Sequence, residues 1–206
     1  VLWLDAYSVS EAAGVAVGTW DDKSIFDRDA TQATAGFKPL RQTDGTGRPY
    51  LDFDGTDDAM ATTWAAFTAP CTVLIAASVS TFAAGRGLVQ FGGLNGGRII
   101  VSAANLVGAS GADVANTTLP ALDTAFVATM SKAASGAVTI RKGLGAAVSN
   151  ASVLAVTAGT CGIGDTVVDA AADFQLYEVV AFDSVLSTEN EARVQRYLMK
   201  KWSAGG

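Results

Sequence analysis

Hydrophobic and polar positions alternate with a period of two along most of this chain, which predicts strands with one face on a core. In residues 50–54, Leu51 and Phe53 point one way and Asp52 and Asp54 the other. Residues 126–131 repeat the alternation, and so do residues 137–142, where Val138 and Ile140 oppose Thr139 and Arg141. Residues 72–79 are apolar but for the small hydroxyls of Thr72 and Ser78, the pattern of a central strand buried on both faces. Residues 88–91 and 98–102 form a strand pair across the glycine-rich segment 92–97. Residues 1–6, 153–156 and 161–164 add short strands. Pro39 and the cluster Gly45, Gly47 and Pro49 mark a long turn region, and residues 55–58 turn the chain again.

The period changes near the end. In residues 174–182, Phe174, Leu176, Val180 and Phe182 share one parity. Glu178 shares it too, so a regular strand would aim a carboxylate at the core. After a corner, Val194, Tyr197, Leu198 and Trp202 recur at helical spacing. Thr188 with Glu191 fits a capping box, with Ser187 the rival cap. Lys200 and Lys201 complement the negative end of the helix dipole. Many short strands, turns at sandwich spacing and no linker-like break predict a single all-β domain over residues 1–206, closed by one C-terminal helix.

Composition narrows the partners. Half of the residues are hydrophobic but only 8% are aromatic, so the core is built of small side chains in close-packed layers. The net charge of −6 and the lack of any basic run longer than a pair such as Lys200-Lys201 exclude nucleic acid as a partner. Anionic glycans are disfavoured more weakly, because a local patch overrides net charge. The chain has no histidine. A Ser-His-Asp or Cys-His mechanism and a His-based zinc site are therefore excluded. Cys71 and Cys161 are no disulfide framework. They are expected to be small buried thiols, with one long-range bridge as the alternative. No apolar run is long enough for a membrane helix and no signal peptide is visible. Because a strand pattern starts at once from Val1, the chain is expected to be trimmed or excised from something longer.

Several segments share an order as well as a composition. They are Leu2-Trp3-Leu4-Asp5-Ala6, Trp20-Asp21-Asp22-Lys23-Ser24, Ala30-Thr31-Gln32-Ala33, Phe53-Asp54-Gly55-Thr56-Asp57-Asp58, and Tyr177-Glu178-Val179-Val180 with Tyr197-Leu198 and Lys201-Trp202. Together they resemble the concanavalin A-like, laminin-G-like jelly-roll domains of phage and bacterial surface proteins. Where that family commonly has a Gly-Asn-Gly-like turn after Lys-Ser, this chain has Ile25-Phe26-Asp27. The resemblance implies an antiparallel jelly-roll β-sandwich of two sheets, a closing helix and a binding role. It names no ligand, because one fold hosts many functions.

Three sets of residues are candidates for chemistry. Asp54, Asp57 and Asp58 cluster on a turn and form a candidate calcium site. The competing reading is turn chemistry, with Asp side chains accepting from local N–H groups. Glu178 is either a catalytic acid or a polar anchor that accepts from an indole N–H of Trp3 or Trp20, with Trp202 part of the same clasp. A glycosidase needs two carboxylates across a cleft, and Glu178 stands alone on its strand, so the anchor is the expectation. Trp64 and Phe82 lie in loop-like contexts and are expected to be exposed for stacking on a sugar or packing on a partner. Arg86 and Arg98, which flank the glycine-rich segment with Asn95, are expected on one rim.

These features predict a non-catalytic, lectin-like attachment module on a virion or on an extracellular bacterial surface, with a cell-surface glycan as partner. It would require no cofactor, though calcium stays open at the Asp54 turn. The alternative is a structural virion protein, a capsid or tail decoration domain that contacts other chains and itself in a homo-oligomer. A glycoside hydrolase ranks third.

Overall fold

The structure, a computed structural model, describes residues 1–62, 64, 70–81, 85–92, 97–103, 105–110, 113–119, 121–134, 137–151, 159–164 and 170–203. The first half of the chain supplies strands β1 (Leu2–Asp5), β2 (Val15–Ala16), β3 (Thr19–Trp20), β4 (Ala30–Thr31), β5 (Leu40–Thr43), β6 (Pro49–Asp54), β7 (Met60–Thr62), β8 (Cys71–Val79) and β9 (Arg86–Phe91). The second half supplies β10 (Gly97–Ser102), β11 (Asn105–Ser110), β12 (Asp113–Thr118), β13 (Phe126–Lys132), β14 (Val138–Lys142), β15 (Val148–Asn150), β16 (Cys161–Ile163), β17 (Ala170–Ala171) and β18 (Asp173–Phe182), then helix α1 (Thr188–Trp202). The strand expected at residues 153–156 lies outside the described residues.

Two antiparallel sheets form a sandwich. The first runs β15-β14-β13-β8-β18-β6-β5-β2, and the second runs β12-β11-β10-β9-β16-β7-β4-β3. The short pair β17–β9 is parallel. Between the sheets, Phe53 stacks on Phe174 with ring centroids 4.6 Å apart, and Trp20, Phe91 and Phe126 are buried with them. Small residues in the second sheet let the layers close. A Cβ at Gly97 would lie 2.5 Å from Met130 Cε, and one at Gly108 would lie 3.1 Å from Ile140 Cβ. That is the structural use of a glycine-rich, aromatic-poor composition. Cys71 and Cys161 are free buried thiols on different sheets. Burial pushes the Cys71 thiol up to about 12, so it stays protonated at neutral pH.

Helix α1 lies on the outer face of the first sheet, over β8 and β13. This explains why all nine residues of β8 are buried: the second sheet covers one face and the helix much of the other. Gln195 is buried under the helix and donates to Thr129 Oγ1 at 2.7 Å. The cap differs from the box expected at Thr188. Ser187 is the N-cap, and its side chain accepts from the Asn190 N–H. Glu191 is left to pair with Arg141 at 2.9 Å. The helix stops at Ser203, which adopts a left-handed conformation (φ 49°).

One irregularity decides which way β18 faces. Its N-terminal half pairs with β6, and residues from Glu178 onward pair with β1 along the same edge. Where the partner changes, the register to β8 shifts between Leu176 and Glu178, a bulge that leaves Tyr177 unpaired. The extra residue reverses the parity. Phe174 and Leu176 point between the sheets, but beyond the bulge it is Val179 and Ala181 that point inward. Glu178, Val180 and Phe182 face outward, toward the helix. The expectation that Glu178 aims at the inter-sheet core is thus corrected, because that expectation assumed an unbroken period of two.

Candidate functional site

Glu178 is fully buried beneath α1. Its Oε1 accepts from Trp3 Nε1 at 2.6 Å and from the Tyr197 hydroxyl at 3.2 Å. Its Oε2 accepts from Lys201 Nζ at 2.7 Å and from Trp202 Nε1 at 2.7 Å. The pairing of β1 with β18 sets Asp5 directly opposite Glu178. Lys201 bridges the two acids, reaching Asp5 Oδ2 at 2.8 Å, and Lys23 reaches the same oxygen at 2.9 Å. Burial works to raise the Asp5 carboxyl, but the bonds from Lys201, Lys23 and the Tyr7 N–H outweigh it and hold it below the usual range. Burial likewise disfavours the Lys201 charge, and the bonds to Asp5 and Glu178 raise its pKa regardless. The arrangement ties the first strand, the last strand and the last helical turn together. It leaves no lone pair of Glu178 facing solvent.

Trp20 does not join this cluster. It is buried in the core, and its Nε1 has no hydrogen-bond partner among the described residues. Trp3 is the indole donor from the opening segment. The Trp20-Asp21-Asp22-Lys23-Ser24 stretch works through Asp22 instead. Asp22 Oδ1 accepts from the N–H groups of Trp3 and Ser24, and Oδ2 accepts from the Ser24 hydroxyl and the Arg28 N–H.

Of the described residues proposed for the glycan rim, Trp64 and Arg98 are buried rather than exposed. Trp64 is buried in the core cluster, with the Arg28 guanidinium 3.6 Å from its ring centroid. Arg98 is buried, and it pairs in register with Gln90, whereas Arg86 sits opposite Val101 at the far end of the same ladder. Arg86 donates to the Ala171 carbonyl at 3.0 Å, securing the β17 contact. The two arginines flank the glycine-rich segment in sequence but occupy opposite ends of the ladder. Phe82 and Asn95 lie outside the described residues.

The acids at the β6 turn do meet. One carboxylate oxygen from each of Asp54, Asp57 and Asp58 falls within 4.8 Å of the others. Two of the three already serve the turn: Asp58 Oδ2 accepts from the Asp54 N–H, and Asp54 Oδ1 accepts from the Thr56 N–H. Burial and the neighbouring acids raise the Asp58 carboxyl. The crowding extends to Asp52, which burial and then Asp173 and Asp54 push up. A carboxyl whose folded pKa lies above its unfolded one costs stability when ionised, and the cost shrinks as pH falls through the folded value and is gone below the unfolded one. Asp52→Asn is therefore expected to raise the melting temperature at pH 7 by roughly 1–4 °C. The gain should be absent at pH 3, and thermal melts at the two pH values check both parts.

The sequence reading missed a polar cleft of about 520 Å³ on the outer face of the first sheet, just past the end of the helix. Four pieces build it: the β5–β6 turn with Thr43, Asp44 and Arg48; Tyr50 on β6; Asp123 and Thr124 before β13; and Gln175 with the bulged Tyr177 on β18. The Tyr50 and Tyr177 rings meet at 5.7 Å with a 59° tilt, and Tyr177 leans on Trp202 at 5.3 Å. Asp44 holds the turn. Its Oδ1 accepts from Thr46 N and Oγ1 and from Arg48 N, and its Oδ2 binds the Arg48 guanidinium. Burial opposes its charge, yet these bonds hold its pKa at about 2. Gln175 Oε1 accepts from the Ser78 and Tyr177 hydroxyls, which leaves its amide nitrogen to donate elsewhere. Asp123 is exposed in a left-handed conformation (φ 55°), fixed by its N–H bond to the Val79 carbonyl at 2.9 Å. The signals that could have found this cleft were faint: the outward parity of Tyr50 and Gln175, and the Asp-Gly turn at residues 44–47.

A second, apolar groove of about 400 Å³ opens beside the middle of the helix, lined by Val1, Trp3, Val180, Phe182, Arg193, Val194 and Tyr197. Among the described residues no helix is long and apolar enough to cross a membrane.

No protein-family model and no curated protein sequence matches the chain. Solved structures match its fold. A Trypanosoma rangeli sialidase in complex with sialic acid aligns with TM-score 0.66 at 14% identity, covering 100% of this chain and 34% of the sialidase. The same sialidase with a difluoro-KDN ligand aligns with TM-score 0.69 at 13% identity. The ligand-binding domain of botulinum neurotoxin serotype D, in complex with N-acetylneuraminic acid, aligns with TM-score 0.64 at 11% identity, covering 96% of this chain and 50% of that one. The chain thus spans about a third of the sialidase and half of the toxin domain, and at these identities the likeness is one of fold.

Proposed function

We propose that this chain is a concanavalin A-like, lectin-like module on a virion or bacterial surface, which holds a glycan in the polar cleft without cleaving it. The observation that carries this reading is the meeting of the Tyr50 and Tyr177 rings with uncommitted polar groups of Asp123 and Gln175 in one open cleft. A sugar presents an apolar C–H face and a rim of hydroxyls, and the cleft offers a surface for each. The glycan-bound fold neighbours support the reading by analogy. Two facts favour binding without hydrolysis. Glu178 is sealed beneath the helix, and Asp44, held at about 2, is shifted the wrong way for a general acid.

A glycan array probed with the chain, with and without calcium, tests this. The wild-type chain should bind a subset of glycans, and Tyr50→Ala should weaken that binding at least about tenfold, the equivalent of roughly 1.4 kcal/mol. The variant's melting curve checks that it remains folded. Silence across a broad array would overturn the reading. The apolar groove at Val1, Trp3 and Phe182 favours the second reading, a structural surface protein that contacts other chains. In that case a silent array would accompany a symmetric oligomer or a large buried interface.

A further inference from the structure

Resting on the glycan-binding reading, we infer that the cleft selects an uncharged saccharide and rejects acidic sugars such as sialic acid. Its charges decide this. The one cation among the described lining residues is Arg48, and each of its three guanidinium nitrogens already has a partner. Nε and Nη2 both bind Asp44 Oδ2 at 2.7 Å, and Nη1 donates to the Trp202 carbonyl. Asp44 neutralises it and has its own oxygens filled by the turn. Lys201, on the adjacent helical turn, is spent on Asp5 and Glu178. The charge left facing the cleft is the exposed carboxylate of Asp123. Asp52 adds a second negative charge on the same face of β6, in register with Gln175.

A sugar carboxylate entering here would meet Asp123 and, among the described lining residues, no guanidinium or ammonium that lacks an anionic partner. A bidentate arginine is the usual means of holding a carboxylate, and the charge of Arg48 is already neutralised by Asp44 at the β5–β6 turn. A neutral sugar fits the same groups. A hydroxyl can donate to Asp123 and accept from the Gln175 amide, whose oxygen is already turned toward Ser78 and Tyr177. Asp123 is positioned in advance by its backbone bond to Val79, so little ordering is needed on binding. This selectivity would be opposite to the ligands seen on the fold neighbours, where N-acetylneuraminic acid is bound.

The test uses matched asialo and sialylated forms of the same oligosaccharides on the array, read with the wild-type chain and with Asp123→Asn. Asparagine tolerates the left-handed conformation, and a melting curve checks the fold. For each bound pair, the neutral form should bind at least tenfold tighter at low salt. Asp123→Asn and 0.5 M salt should each narrow that gap, salt by screening the repulsion. Tighter binding of the sialylated forms would overturn this inference and leave the glycan-binding reading standing. A gap unchanged by both Asp123→Asn and salt would overturn it too, because charge would not be its cause. Silence toward both forms would overturn the reading and the inference together.

Discussion

Glu178→Ala is expected to destabilise the chain by about 3–5 kcal/mol, the cost of removing one partner from a buried ion pair. The melting temperature should fall by roughly 6–20 °C. The variant strands four donors at once: the indole N–H groups of Trp3 and Trp202, the Tyr197 hydroxyl and the Lys201 ammonium. Lys201 would keep Asp5, so one acid would face a cation that two acids held before. Glu178→Gln should lose less, because one amide oxygen still accepts, but its NH2 group meets donors where a second oxygen stood. Urea unfolding of both variants checks the order. Glycan binding should persist wherever the variant remains folded, since Glu178 lies outside the cleft. Unchanged stability with lost binding would instead make Glu178 part of the binding site.

Gly164→Ala is expected to cost about 2–5 kcal/mol, through two terms that a control can separate. The residue sits at φ 89°, where a Cβ costs roughly 1–2 kcal/mol. A Cβ there would also lie 2.4 Å from the Asp58 carbonyl oxygen and 2.6 Å from Phe53 Cδ1. Neither neighbour can yield easily: one is backbone, and the other is a core ring stacked on Phe174. Overpacking of this kind adds roughly 1–3 kcal/mol. Gly47→Ala is the control. Its φ is 85° but nothing lies within 4 Å of the new Cβ, so it should show the backbone term alone. Equal losses for the two variants, measured by urea unfolding, would contradict the close approach of β16 to the Asp58 turn.

Much of the fold was legible because it follows from periods that the core enforces. Residues 72–79 had to be central, since a strand with apolar residues on both faces needs cover on both sides, and the helix and second sheet supply it. The closing helix announced itself through Leu198 and Trp202, which are fully buried. What the period could not show was its own interruption. The bulge at Tyr177 sits where β18 changes edge partners from β6 to β1, a tertiary event with no local signature. Trp64 and Arg98 were misplaced for a related reason: their burial is tertiary, as the Arg28 guanidinium over the Trp64 ring illustrates. The cleft was hidden most completely. Its groups come from four separated stretches, and none forms a motif with its neighbours in sequence.

The central claim is that the cleft between Tyr50, Asp123 and Gln175 is where a glycan sits. The most direct test is to titrate the isotopically labelled chain with the tightest-binding array glycan and follow its backbone amide signals by NMR. Shifts clustered at Thr43, Tyr50, Asp123, Thr124, Gln175 and Tyr177 are the predicted result. Shifts confined to the apolar groove at Trp3 and Phe182, or to the β9–β10 ladder, with the cleft amides unmoved, would contradict it.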